Sequence, residues 1–193
     1  MPILPLDWHP RPLIMLLSIF TALFALSPFT TTATTTATSL ETPTPPALEF
    51  LYTAFVHCTN TLYESQGPRG IRKAIPIVGG NFTGPRVSGT IANLGADWGL
   101  VDPQTGLFSA DTRYNLKTDD GEYLFLQTSG ASVPAGGLHL RVLIETGSAK
   151  YYWLNNLVAV GVLQRVSEDE EGFVLRIDVW HVSERMPSAF HGI

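Results

Sequence analysis

The side chains with the clearest chemical potential are a carboxylate and a guanidinium two residues apart, Asp111 and Arg113. Successive side chains of an extended strand alternate between its faces, so these two project together while Tyr114 points the other way. Such a pair forms a charge-assisted contact or grips a polar ligand. Turned into an enclosed space it is desolvated and becomes a candidate site; turned outward it is a solvated ion pair that contributes little. A second carboxylate, Asp97, stands beside Trp98 after Gly95-Ala96, where a strand is expected to start, and Trp153-Leu154-Asn155-Asn156 follows a pair of tyrosines. Tryptophan and tyrosine supply large apolar area with one polar handle, which suits the wall of a small-molecule cavity and suits a plain core equally well.

Other chemistries find little support. His57 and Cys58 are adjacent, so on a strand they face opposite ways and cannot form a dyad. His57, His139, His181 and His191 fall on four separate elements without metal-ligand spacing, and no metal site is expected. No Gly-rich phosphate loop in strand-to-helix context and no G-x-S-x-G elbow occurs, so no cofactor is expected either. The formal net charge is −5, with acidic residues gathered in Ser167 to Glu171 and basic ones scattered, which leaves no footprint for nucleic acid. Cys58 is the one thiol, so no intramolecular disulfide forms, and its expected place is a buried position in a strand.

The elements that must position these residues read as strands. Short β-branched and aromatic runs separated by Gly, Pro, Asn and Asp begin at Ala47: Leu48 to Cys58, Ala74 to Phe82, Arg86 to Leu94, Trp98 to Val101, Leu107 to Thr118, Glu122 to Thr128, Leu138 to Thr146, Leu157 to Val166 and Phe173 to Val182. Gly79-Gly80 predicts a bulge that curves the sheet, and Asp119-Asp120-Gly121 a hairpin turn. Thr59 to Lys73 reads as a long polar loop, and Lys150 to Asn156 has room for a helical turn. About nine or ten strands of this kind predict an all-β fold, a single antiparallel β-barrel, with a two-sheet β-sandwich as the alternative.

Ahead of this domain, Arg11 precedes the apolar run Leu13 to Leu26, and small and hydroxylated residues follow, the order of a signal peptide. The run of about 14 residues is short of the roughly 20 that span a bilayer, so removal is expected, with a retained signal anchor as the alternative. The division expected is a signal peptide over 1–33, a Thr/Pro-rich linker over 34–46, a barrel over 47–185 and a tail over 186–193. Secretion or residence in the secretory lumen follows, with no membrane contact once the signal is gone. Asn81-Phe82-Thr83 is an N-glycosylation sequon compatible with that route.

Four motifs, in this order and at these spacings, resemble a known family: Gly79-Gly80-Asn81-Phe82-Thr83-Gly84-Pro85, Gly95-Ala96-Asp97-Trp98, Asp111-Thr112-Arg113-Tyr114 through Gly121, and Tyr152-Trp153-Leu154-Asn155. The chain is similar from about Leu48 to Val182 to the domain of unknown function 3237, also called uncharacterised protein family 0311. The resemblance implies a compact β-barrel and no activity common to the family. It raises Asp97, Trp98, Asp111, Arg113, Tyr114 and Trp153 as candidates, and the added N-terminal signal segment departs from the family pattern.

Two functions of different kinds are consistent with these residues. One is a cofactor-free isomerase, cyclase or dehydratase of natural-product metabolism, with Asp111 or Asp97 moving a proton and Arg113 holding developing negative charge. The other is a carrier without chemistry, with Trp98, Tyr114, Trp153 and Asn155 lining the ligand space, and a structural or interaction domain would instead have its interior filled by side chains. The expected partner of the enzyme or the carrier is a small, largely apolar molecule, and the oligomeric state stays open. A cavity carboxylate with a raised pKa would favour the enzyme.

Overall fold

A computed structural model of the protein describes residues 42–183. The expected signal segment, most of the linker and the C-terminal tail lie outside these residues. Ten strands follow one another: β1 (Leu48–Thr59), β2 (Tyr63–Gly67), β3 (Gly70–Thr83), β4 (Ser88–Asp97), β5 (Leu100–Val101), β6 (Phe108–Thr118), β7 (Tyr123–Ala131), β8 (Leu138–Glu145), β9 (Ala159–Glu168) and β10 (Gly172–Val182). A 3-10 turn, Tyr152–Asn156, separates β8 from β9, where the sequence has room for one.

The strands obey the two-residue period. In β8, Leu138, Leu140, Val142 and Ile144 are buried while His139, Arg141, Leu143 and Glu145 are exposed, and in β6, Ala110, Thr112, Tyr114, Leu116 and Thr118 form the buried row. The antiparallel order runs β1-β10-β9-β8-β7-β6-β4-β3, and β3 pairs back onto β1. Eight strands therefore close into a barrel, with β2 and β5 as additions, and closure rules out the two-sheet sandwich.

Closure depends on Gly79-Gly80. The β1 and β3 ladders change register between His57 and Cys58, opposite this pair, and both glycines have positive φ, 149° and 135°. A Cβ on Gly80 would lie 2.0 Å from the Phe55 carbonyl oxygen. The bulge brings both Ile77, before it, and Phe82, after it, onto the buried face.

Two expectations need correction. Thr59 to Lys73 is no loop: β2 and the start of β3 form a hairpin whose turn, Gly67 to Gly70, uses the positive φ of Gly70. Its two-residue period is invisible because much of it faces solvent on both sides. Asp97 ends a strand instead of starting one: the register of Ile75 with Asp97 continues unbroken to Arg72 with Leu100. β5 therefore carries on from β4 past a break at Trp98-Gly99, and the Lys73 amide bridges that break by donating to the Gly99 carbonyl.

One barrel end is shut. Leu154 of the 3-10 turn is fully buried, Tyr151 nearly so, and the Tyr151 hydroxyl donates to Asp120 at 2.9 Å in the β6–β7 turn. Lys150 and Thr118 also bond Asp120 and hold its carboxyl well below the usual range. Above this plug lie the most completely buried side chains, among them Tyr52, Phe82, Leu116, Leu124 and Leu126.

Gly80→Ala should lower stability by about 2 kcal/mol or more, since it combines positive φ with a backbone clash. Gly106→Ala, at φ 70° with nothing within 4 Å, serves as the control. The larger loss for Gly80→Ala is read from thermal melts, and equal losses would remove the bulge's role in closure.

Candidate active site

The open end of the barrel holds a cavity of about 330 Å³, within the range that encloses a small organic molecule. Its wall is largely apolar, with Val56, Ile75, Ile77, Phe108, Ala110, Leu138, Leu163, Phe173, Leu175 and Ile177. Polar character comes from Asp97, Arg165, Tyr114, Cys58, Ser132 and the threonine pair Thr112 and Thr128, whose hydroxyls hydrogen-bond each other across β6 and β7. Among the described residues Asp97 is the one carboxylate and Arg165 the one cation on this wall.

Asp97 reaches the cavity because it pairs with Thr112, a member of the buried row of β6. One carboxylate oxygen accepts the Asp111 backbone N–H at 2.9 Å. Burial pushes its pKa up to about 6; the Asp111 N–H and the Arg72 charge pull it down, and the Asp111 carboxylate adds to the rise. A carboxyl poised near neutrality both accepts and returns a proton at low cost, the requirement for general acid–base work.

Tyr114 points inward one register step deeper, opposite Gly95, where the space a side chain would occupy is filled by the Tyr114 Cβ. Burial raises its phenol pKa, so it stays protonated and can donate. No partner for its hydroxyl exists among the described residues, and the hydroxyl is not sealed away from open space. Cys58 is buried, with a thiol pushed up to about 12, mainly by burial and further by Asp97, against the pull of Arg165. It contributes a neutral surface and no thiolate. His57 is exposed on the opposite face.

The remaining expected site residues lie elsewhere. Asp111 and Arg113, candidates either for the barrel interior or for a solvated outer pair, take the second place: they form a 3.0 Å ion pair on the outer wall with side chains 40% and 42% exposed. The cause is the strand period, which sends Ala110, Thr112 and Tyr114 inward and the intervening residues out. Asp111 still acts on the site through its amide and its charge. Trp98 is 41% exposed in a shallow outer depression with Leu94, Arg113 and Phe125. Trp153 packs against the closed end with the Arg86 guanidinium 3.6 Å over its ring. Asn155 is structural: its amide donates to Thr146 and Tyr152 carbonyls and accepts the Thr146 N–H. Asn81 is exposed on the outer face of β3. Among the described residues no three metal-ligating side chains converge.

Sequence reasoning missed Arg165, Phe173, Thr112 and Thr128. Arg165 had a signal, since Ala159, Gly161, Leu163 and Arg165 form one period-two row whose first members are buried.

The fold and cavity define a closed antiparallel β-barrel shut at one end and open to a small molecule at the other. The chain belongs to the family described as protein of unknown function (DUF3237), which it matches over residues 46–142. It is 33% identical over 149 residues to the hydroalkoxylation enzyme phnH of Penicillium herquei, a match covering 77% of this chain and 92% of that protein. Among solved structures it is similar to a beta-barrel like protein from Acinetobacter baumannii, with TM-score 0.64 and 35% identity over 74% of this chain and 99% of the other. An enzyme from Penicillium herquei matches with TM-score 0.60 and 30% identity over 74% and 98%.

Asp97→Asn keeps the acceptor for the Asp111 amide and removes the buried charge. Because the folded-state pKa lies above the ordinary one, the wild type loses stability as pH rises from about 4 through about 6, whereas the variant does not. The variant should match the wild type near pH 3.5 and exceed it by about 1–3 kcal/mol at pH 7.5. Denaturant melts across this range check the difference, and one that stays flat with pH would show that the carboxylate is not desolvated.

Proposed function

We propose that this barrel is an enzyme that adds a hydroxyl group across a carbon–carbon double bond of a hydrophobic natural product, closing an oxygen ring by hydroalkoxylation. The observation that carries this reading is Asp97, a single carboxylate with its pKa raised to about 6 in an otherwise largely apolar cavity. The similarity to a hydroalkoxylation enzyme supports the reaction class.

The chemistry is redox-neutral and conserves all atoms. The Asp97 carboxylate takes the proton of the attacking hydroxyl as the new C–O bond forms and the π bond breaks. The carboxylic acid so formed returns the proton to the carbon that carries the electron pair. Where the double bond is conjugated to a carbonyl, the Tyr114 hydroxyl donates to the oxygen on which negative charge builds. The dry wall excludes competing water and holds the substrate folded with oxygen and alkene in contact.

A panel of hydroxy-enones incubated in deuterium oxide supplies the test. Turnover should give cyclic ethers with deuterium at the protonated carbon, and Asp97→Asn should lower kcat by about a hundredfold or more. Tyr114→Phe should lower it by about tenfold. Binding without turnover across the panel would favour a carrier, and full activity in Asp97→Asn would overturn the role of the carboxyl.

We further propose that the protein acts in the secretory pathway, on the support of the N-terminal segment and the outward-facing Asn81. Expressed in a eukaryotic secretory host, it should lose its N-terminal residues and carry one glycan that Asn81→Gln abolishes. An intact N-terminus on intracellular, unglycosylated protein would reject this route.

A further inference from the structure

Arg165 occupies a position that the fold would ordinarily give to an apolar side chain. It continues the buried row Ala159, Gly161 and Leu163 of β9 and pairs with Leu175, itself on the cavity wall. An arginine on the inner face of a barrel carries a desolvation cost unless something uses its charge. Its side chain is 48% exposed, so it stands at the mouth and not in the interior.

Two contacts set its orientation. The guanidinium lies over the Phe173 ring, 4.1 Å from the centroid, and one Nη donates to Glu168 at 2.8 Å. The stack fixes the plane of the group, and Glu168 occupies one of five donors. No other hydrogen-bond or ion-pair partner exists for it among the described residues, and its charge otherwise acts only at a distance on the Cys58 thiol. What remains is a planar, preorganised fork at the entrance of an apolar space, a geometry matched to carboxylate, sulfonate or phosphate oxygens.

We infer that the cavity takes an apolar molecule bearing one anionic group, with the body inside the barrel and the anion held at the mouth by Arg165. Asp97 repels that anion from its own part of the wall, so the two groups orient the ligand oppositely: charge toward Arg165, neutral reacting atoms toward Asp97. This rests on the reading of the cavity as the substrate site and not on the chemistry assigned to Asp97.

The test uses two fluorescent probes with one ring system, anilinonaphthalene sulfonate and the uncharged N-phenylnaphthylamine. Wild-type protein should bind the sulfonate more tightly. Arg165→Met should weaken the sulfonate by about tenfold or more and shift the neutral probe by no more than about twofold. Arg165→Lys, which keeps charge but not the fork, should fall between. Glu168→Gln should tighten sulfonate binding by roughly two- to fivefold, because it frees a donor and removes a competing anion. Equal loss of both probes in Arg165→Met, which would mark a packing role on Phe173, overturns the inference, as does failure of the wild type to prefer the sulfonate. Asp97→Asn should retain the preference, so failure of the carboxylate chemistry and failure of anion recognition are read separately.

Discussion

Everything in this molecule depends on β1 being paired on both of its edges. One edge meets β10 and the other meets β3, and only the second contact turns an open, curving sheet into a barrel. That contact is possible because Gly80 puts no side chain against the Phe55 carbonyl of β1. The same bulge lets Ile77 before it and Phe82 after it share the buried face, so the cavity wall that Ile75 and Ile77 form and the closure of the barrel have one cause. The plug at the far end completes the arrangement: Leu154 fills that end, and the cavity lies at the other.

Within that frame the site is a compromise between solvation and use. The carboxyl of Asp97 keeps one hydrogen bond and gives up most of its water, which raises its pKa and lowers the stability of the ionised protein. Its neighbours on the wall stay neutral: Tyr114 and Cys58 are both pushed away from ionisation by burial. A lone proton-transfer group among silent ones must both accept and return the same proton, in keeping with the addition reaction proposed for it.

Much of the fold was legible in the sequence because its cause is local. The alternation in Leu138 to Glu145 and in Phe108 to Thr118, and the glycine pair at 79 and 80, each signal their structure within a few residues. The hairpin from Tyr63 to Ala74 was not legible, since strands bathed on both faces lack alternation. Asp97 was recognised as a candidate but assigned to the wrong end of a strand, because Trp98-Gly99 interrupts the chain without interrupting the ladder. Which of the two faces of β6 meets the cavity is set by pairing with β4 and β7 far along the chain, and that is why Asp111 and Arg113 looked as eligible as Tyr114. Arg165 stayed hidden for a related reason: its partners Leu175 and Phe173 lie beyond an acidic turn and a register shift.

The ladder between β1 and β10 joins Leu48 to Val182, the first and last strand residues of the domain, and the Ser183 amide donates to the Ala47 carbonyl beyond them. No ribosome can deliver a barrel of this connectivity piecemeal. Until the last strand has been synthesised, β1 lacks the partner on one edge, and its apolar inner row, Tyr52, Ala54, Val56 and Cys58, has no closed interior to enter. Long-range pairings of this kind make for slow folding and leave strand edges open meanwhile. The nascent chain must therefore remain unsealed until β10 has been made, and closure is a single late event in its folding.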